Sequence, residues 1–213
     1  GRGDYVDFNT LKSVEILKGP GSTLYGSDAL GGILSYRSIE AKDLLDAGET
    51  FSVEIPVNYT GYNSGKTAAI KIAGQDESSG LSAIGVFSIL DSSETKPKHF
   101  ASRDEWINNL DKEGQTFYIN AEKEIDETKK VGIIVEKLTR DSDIKRGVKA
   151  IEYENSSTYV YSQKNRDMEV EKDKVVISYK YKNAEVDKLI NSFTAKAYIQ
   201  NSKIDDTWDD KLV

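Results

Sequence analysis

From residue 51 to residue 200, apolar side chains return at every second position in about seven separate runs. In the clearest of them Phe51, Val53, Ile55, Val57 and Tyr59 alternate with Ser52, Glu54, Pro56, Asn58 and Thr60. A backbone that points successive side chains to opposite sides is a β-strand, and a strand written this way has a single apolar face. The other runs cover residues 67–75, 81–91, 115–125, 131–139, 174–182 and 192–200. Each is close to the roughly nine to eleven residues that a tilted strand needs to cross a bilayer. Pro56 falls on the polar parity of its run and has no N–H to give a ladder, so it predicts an edge or an irregular spot.

The connections carry a second signal. Residues 76–80, 126–130 and 183–191 make short links, whereas residues 92–114 and 140–173 are long and highly charged. Outer-membrane barrels have short turns on the periplasmic side and long loops outside, and a soluble sandwich has no need of that alternation. The two long segments are therefore expected as loops on the outer side. Only the short link at residues 63–66 departs from the pattern.

Composition narrows the function classes. A chain of 213 residues forms one or two domains, and 38% hydrophobic with 31% charged residues is lean for a globular enzyme core. It suffices for a wall that meets lipid on one face and water on the other. Without cysteine there is neither a disulfide framework nor a thiolate metal site. A net charge of -7 with scattered basic residues argues against a nucleic-acid surface. The longest run without a charge, residues 78–90, is too short for a membrane helix of roughly 18 residues, so any crossing is made by strands. The chain starts at Gly1 without a methionine, a basic leader or an apolar leader, and is expected to be an internal piece of an exported protein.

Ahead of the alternating runs, residues 14–36 read VEILKGPGSTLYGSDALGGILSY. A short β-prone stretch is broken at Gly19-Pro20-Gly21, where a fixed φ stands between two permissive ones. Ser22 and Gly26 are suited to cap one turn of helix, and Gly31-Gly32 lets the backbone pass close to other groups before a second strand. Residues 37–50 form a polar link in which residues 40–46 suit a short helical turn.

This segment resembles the C-terminal part of the plug domain of TonB-dependent outer-membrane receptors, on Val14, Glu15, Lys18, Gly19, Pro20, Tyr25, Gly26, Ser27, Ala29, Gly31 and Gly32. In that family the acidic and basic residues of the motif are explained as a buried polar lock between plug and barrel wall, a role that Glu15 and Lys18 would inherit. The stretch from Leu30 to Tyr36, with Ala41, Lys42, Asp43, Leu44, Leu45 and Gly48 after it, is similar to the haem and haemoglobin receptor branch, as are residues 175–179 and 195–200. The resemblance implies an all-β fold: a partial, open, antiparallel transmembrane β-barrel of about seven strands preceded by the C-terminal part of a plug. Residues 1–46 would be plug and linker, and residues 47–213 the N-terminal part of a 22-stranded barrel.

It also implies a function. Haem, free or from a haemoprotein, would be the transported ligand and not a tightly bound cofactor. TonB would be the energising partner, acting through a segment N-terminal to Gly1, and outer-membrane lipid would surround the wall. The histidines and the Phe-Arg-Ala-Pro and Asn-Pro-x-Leu region of that branch are absent from this chain. A ferric-siderophore or other nutrient receptor, and a soluble all-β binding module, stay open as alternatives.

Few side chains suggest chemistry. His99, the only histidine, lies beside Lys98 and Phe100 with Trp106 nearby, and an exposed imidazole there is a candidate haem contact. Met168, Tyr153, Tyr159 and Tyr161 are weaker candidates of the same kind. Residues 61–67, GYNSGKT, fall one residue short of a phosphate-binding loop and link two strands, which excludes that reading. Asp205, Asp206, Asp209 and Asp210 read as a solvated acidic loop. No nucleophile with a base is visible, so the chain is not expected to be an enzyme.

Overall fold

A computed structural model describes residues 6–18, 32–61, 63–93, 109–152, 159–183 and 191–212, with side chains at all of these except 109–110, 145–152, 159–164 and 210–212. Two strands, β1 (Leu11–Lys18) and β2 (Gly32–Ser38), pair antiparallel in a small sheet. Signature residue Gly32 has φ 143°, and a Cβ there would stand 2.7 Å from the Leu17 carbonyl oxygen, so only glycine fits that crossing. The remaining strands form one open antiparallel sheet: β3 (Phe51–Glu54), β4 (Val57–Thr60), β5 (Gly65–Asp76), β6 (Leu81–Ser92), β7 (Asn109–Asp126), β8 (Lys129–Glu152), β9 (Tyr159–Lys182) and β10 (Ser192–Leu212). Its order is that of the chain, a meander from β3 and β4, both on β5, to β10.

The expected all-β wall is thus present, with each of the seven alternating runs in it. The irregular spot at Pro56 is the gap between β3 and β4, bridged by Ala69 N–H donating to the Pro56 carbonyl at 3.0 Å. The turn foreseen at residues 40–46 is a 3-10 turn at Ala41–Asp43, closed by the Glu40 N–H donating to the Asp43 carboxylate at 2.8 Å.

Register shows why the wall has two unlike faces. Val53, Ile72, Gly85, Ile119, Val135, Val175 and Ile199 are successive partners across the sheet, and the next row toward the short turns reads Phe51, Gly74, Ala83, Ala121, Ile133, Ile177 and Ala197. Many of these side chains are exposed, Ile177 at 59% and Ile199 at 79%. Aromatic residues edge the band: Tyr59, Phe87 and Phe117 toward one end, and Phe51, Tyr179, Tyr181 and Phe193 toward the other. The band climbs to Tyr59 on β4 but stops at Val135 on β8 and Val175 on β9, where the row-mates of Tyr59 are Asp141 and Glu169. Strands tilted by roughly 35–45° to a membrane normal produce that stagger, and an apolar belt between aromatic girdles is the pattern that the outer surface of a transmembrane barrel carries.

The loop expectation fails at both long segments, since residues 109–114 of the first already run in β7. Residues 140–173 are not a loop: β8 and β9 run on as a paired hairpin to Glu152 and Tyr159, and β10 follows alongside to Leu212, carrying the acidic residues 205, 206, 209 and 210 on a strand. Outside the apolar band neither face has to be apolar, so the period-two signal disappears while the ladder continues. Backbone hydrogen bonds and cross-strand pairs hold it, such as Arg166 with both Asp206 oxygens at 2.7 Å and with its guanidinium 4.8 Å from the Trp208 ring centre.

The opposite face of the sheet holds the core. Ala73, Ile84, Val86 and Tyr118 pack there against Ile39 and Ala41 of the segment that follows β2, with Leu44, Leu45 and Ile134 around them. Tyr118 is fully buried, and its hydroxyl donates to the Ile39 carbonyl at 2.9 Å, where Asn120 also donates at 3.0 Å. Because that carbonyl keeps Asn120, Tyr118→Phe is expected to lower stability by only about 1 kcal/mol in denaturant titration. A loss well above that would mean the hydroxyl has a second duty.

Candidate functional site

Polar groups are buried between the large sheet and the segment that leads into β1. A 3-10 turn at Phe8–Thr10 opens with Asp7, whose Oδ1 accepts from the Asn9 N–H at 2.8 Å, an ordinary N-cap. Its Oδ2 faces the wall. There it accepts from the Ser88 hydroxyl on β6 and from Arg140 Nη2 on β8 at 3.3 Å. The same Nη2 donates to Thr116 Oγ1 on β7 at 3.2 Å, and Arg140 Nη1 donates to the Thr139 carbonyl at 2.9 Å. Asp7, Ser88, Thr116 and Arg140 are all buried.

Burial alone works against the charge on Asp7, but the Ser88, Asn9 and Thr116 hydrogen bonds and the Arg140 guanidinium outweigh it and hold the carboxyl below its usual range. Gly114, beside Arg140 in register, makes the room: a Cβ there would lie 2.5 Å from Arg140 Cδ and 2.7 Å from the Thr139 carbonyl oxygen.

A second cluster lies nearer the short turns. Lys180 on β9 reaches Glu122 on β7 at 2.8 Å and Glu40 of the linker at 3.5 Å, and Lys130 reaches Glu122 at 3.4 Å and Glu124 at 2.9 Å. Burial disfavours the Glu40 charge, yet Lys42 and Lys180 together keep its carboxyl below the usual range. Lys12 of β1 pairs with Asp43, tying the small sheet to the linker. The segments before β1 and after β2, which meet at the Leu11–Ser38 end of the small sheet, are thereby both anchored by buried or half-buried charge pairs.

Sequence reasoning did not find these groups. Asp7 and Arg140 are 133 residues apart, and only the Asp7-Phe8-Asn9-Thr10 string carried a local sign, that of a helical cap. Of the residues it did single out, Glu15 and Lys18 stand exposed on β1, where they pair in register with Ser35 and Gly32. Gly19, Pro20, Tyr25, Gly26, Ser27, Ala29 and Gly31 lie outside the described residues, as do His99 and Tyr153. Tyr159 and Tyr161 fall on β9, and the Met168 sulfur lies 3.9 Å from Arg166 Nη2 on the same strand. Among the described residues no group of three or more His, Asp or Glu is placed to hold a metal ion.

Residues 1–33 match the TonB-dependent Receptor Plug Domain family. That stretch is similar to the plug of the TonB-dependent receptors. In keeping with this, a hemin receptor of Yersinia enterocolitica is 35% identical over 82 residues, 38% of this chain and 12% of that protein. Heme/hemopexin utilization protein C of Haemophilus influenzae is 39% identical over 64 residues, 30% of this chain and 9% of that protein. Transferrin-binding protein A of Haemophilus influenzae is 29% identical over 91 residues, 43% of this chain and 10% of that protein. The matched stretch spans about a tenth of the length of these relatives. By name they are a receptor, a utilization protein and a binding protein.

Proposed function

We propose that this chain belongs to a bacterial outer-membrane receptor that imports haem, or haem taken from a haemoprotein, by energy-coupled transport. In this reading residues 1–46 are plug and linker, residues 47–213 are the first part of the barrel wall, and TonB drives the opening. The observation that carries it is the contrast between the two faces of the sheet. One is an apolar band edged by aromatic rings, and the other is covered by residues 7–10 of the matched stretch and residues 39–45 after it, pinned by one buried and one half-buried ion pair. A gate held against a membrane wall by ion pairs and one small apolar cluster, and not by an extensive apolar core, is one that force can move.

Haem as cargo is supported by the likeness to a hemin receptor and to a heme/hemopexin utilization protein. Transferrin-binding protein A, matched over the larger share of this chain, supports a second reading in which iron is taken from a host protein. Haem titration of the receptor, followed at the Soret band, separates the two. A saturable red shift is expected, and an unchanged spectrum removes haem in favour of transferrin iron or a siderophore. Repeating the titration with His99→Ala decides whether that imidazole meets the iron, since a lost axial ligand moves the band.

A further inference from the structure

We propose that Arg140, Ser88 and Thr116, with Gly114 making room for the guanidinium, form a carboxylate-binding site in the wall that Asp7 fills only while the plug segment is seated. A carboxylate of the cargo takes the site when Asp7 leaves. This second half rests on the proposed uptake of haem, a porphyrin with two propionate groups.

The site is built before any carboxylate enters it. Arg140 is fixed through Nη1 by its own strand, at the Thr139 carbonyl, and its guanidinium lies in a space that any side chain at residue 114 would fill. Nη2 and the Ser88 hydroxyl then converge on one oxygen, Asp7 Oδ2, while Thr116 steadies Nη2 from the side. Three separate strands, β6, β7 and β8, supply these groups, so the arrangement belongs to the wall and not to the plug segment. Two donors on a single oxygen, one of them a charged planar fork, are a recognition site for a carboxylate of any origin.

Departure of Asp7 leaves a problem that the wall cannot solve alone. A guanidinium does not lose its proton in a protein, so Arg140 cannot become neutral as a lysine could. Among the described residues the other buried carboxylates of the wall are engaged: Glu136 with Lys172 at 2.6 Å, and Glu122 with Lys180 at 2.8 Å. With the covering segment gone the guanidinium is open to solvent but still held beside two hydroxyls, and it attracts the next anion that reaches it. In a transport path that anion is the cargo, and exchange between Asp7 and a propionate lets the plug leave and return without a lone charge in the wall.

Formate, a carboxylate with no other chemistry, tests the site in the whole receptor folded in detergent micelles. Asp7→Ala empties the site, and formate is expected to raise the melting temperature of this variant as its concentration increases, against chloride at equal ionic strength. The unaltered receptor, whose site is filled, should respond little, and Asp7→Ala with Arg140→Gln or with Gly114→Ala should not respond. If Asp7→Ala does not assemble, Asp7→Ser keeps a capping oxygen for the turn, is too short to fill the site and still removes the counter-charge. Equal response in all variants, or none in the emptied site, overturns the proposal. The cargo half is read separately, by uptake of haem against its dimethyl ester, for which a loss of roughly tenfold or more is expected. Equal uptake of the ester removes that half and leaves the formate site standing, whereas a receptor that takes up neither refutes haem uptake without touching the formate result.

Discussion

Arg140→Met is expected to be the most damaging single change in the plug anchor, at about 3–5 kcal/mol, because it leaves the Asp7 carboxylate buried against the wall without its cation. The side chain stays long and apolar, so little packing volume is lost and the cost is electrostatic. Denaturant titration of the folded receptor measures the loss, and protease access to residues 7–10 reports whether the segment has come away from the wall.

Acidity gives this result a sign that a packing defect lacks. In the unaltered protein Asp7 is held below the ordinary carboxylate range, so its contribution to stability is complete above the unfolded value of about 3.9 and is lost as pH falls through the lower folded value. In Arg140→Met the same carboxylate is a liability at neutral pH, and protonating it removes the unpaired charge. The gap between variant and parent should therefore be widest near neutrality and should narrow as pH falls toward 4. A gap that is constant with pH would show that Arg140 acts by packing.

That anchor was invisible in the sequence for a physical reason. Alternation is legible because it is a local consequence of one apolar face, and it located Phe51, Ile72, Phe87, Ile133, Ile177 and Ile199 on a common surface without any contact being known. The break at Pro56 and the turn around Asp43 were legible too, since a missing N–H and a capping carboxylate act on their immediate neighbours. By contrast Arg140 lies in a stretch, residues 140–146, whose charges look like a solvated loop, and its partner is far away in the chain. Nothing local distinguishes it from Arg146. The long hairpin was missed by the same logic, because a strand wet on both faces has no hydrophobic period to read. Plug glycines were found by their motif, but the reason for Gly32 is its crossing at Leu17, which only a structure shows.

The membrane itself is tested by Ile177→Arg. Ile177 points out from the apolar face near the middle of the band on β9, opposite Ile133 and Ala197, and is 59% exposed. Were this face in water, an arginine there would be neutral or would improve solubility, since an exposed isoleucine gains nothing from its neighbours that a solvated charge would spoil. In hydrocarbon the same change costs about 2–4 kcal/mol near the midplane and falls to about 0–1 kcal/mol near the interfaces. Asp173→Arg, four residues away on the same strand and the same face but beyond the band, is the matched control and should be nearly silent. Folding into lipid vesicles, followed by heat-resistant migration on gels, compares the two variants directly. A depth-dependent penalty, large at residue 177 and small at residue 173, can arise only if hydrocarbon lies against the first and headgroups or water against the second. Two variants that fold alike would leave the apolar band without a lipid to face, and the transport reading would lose its wall.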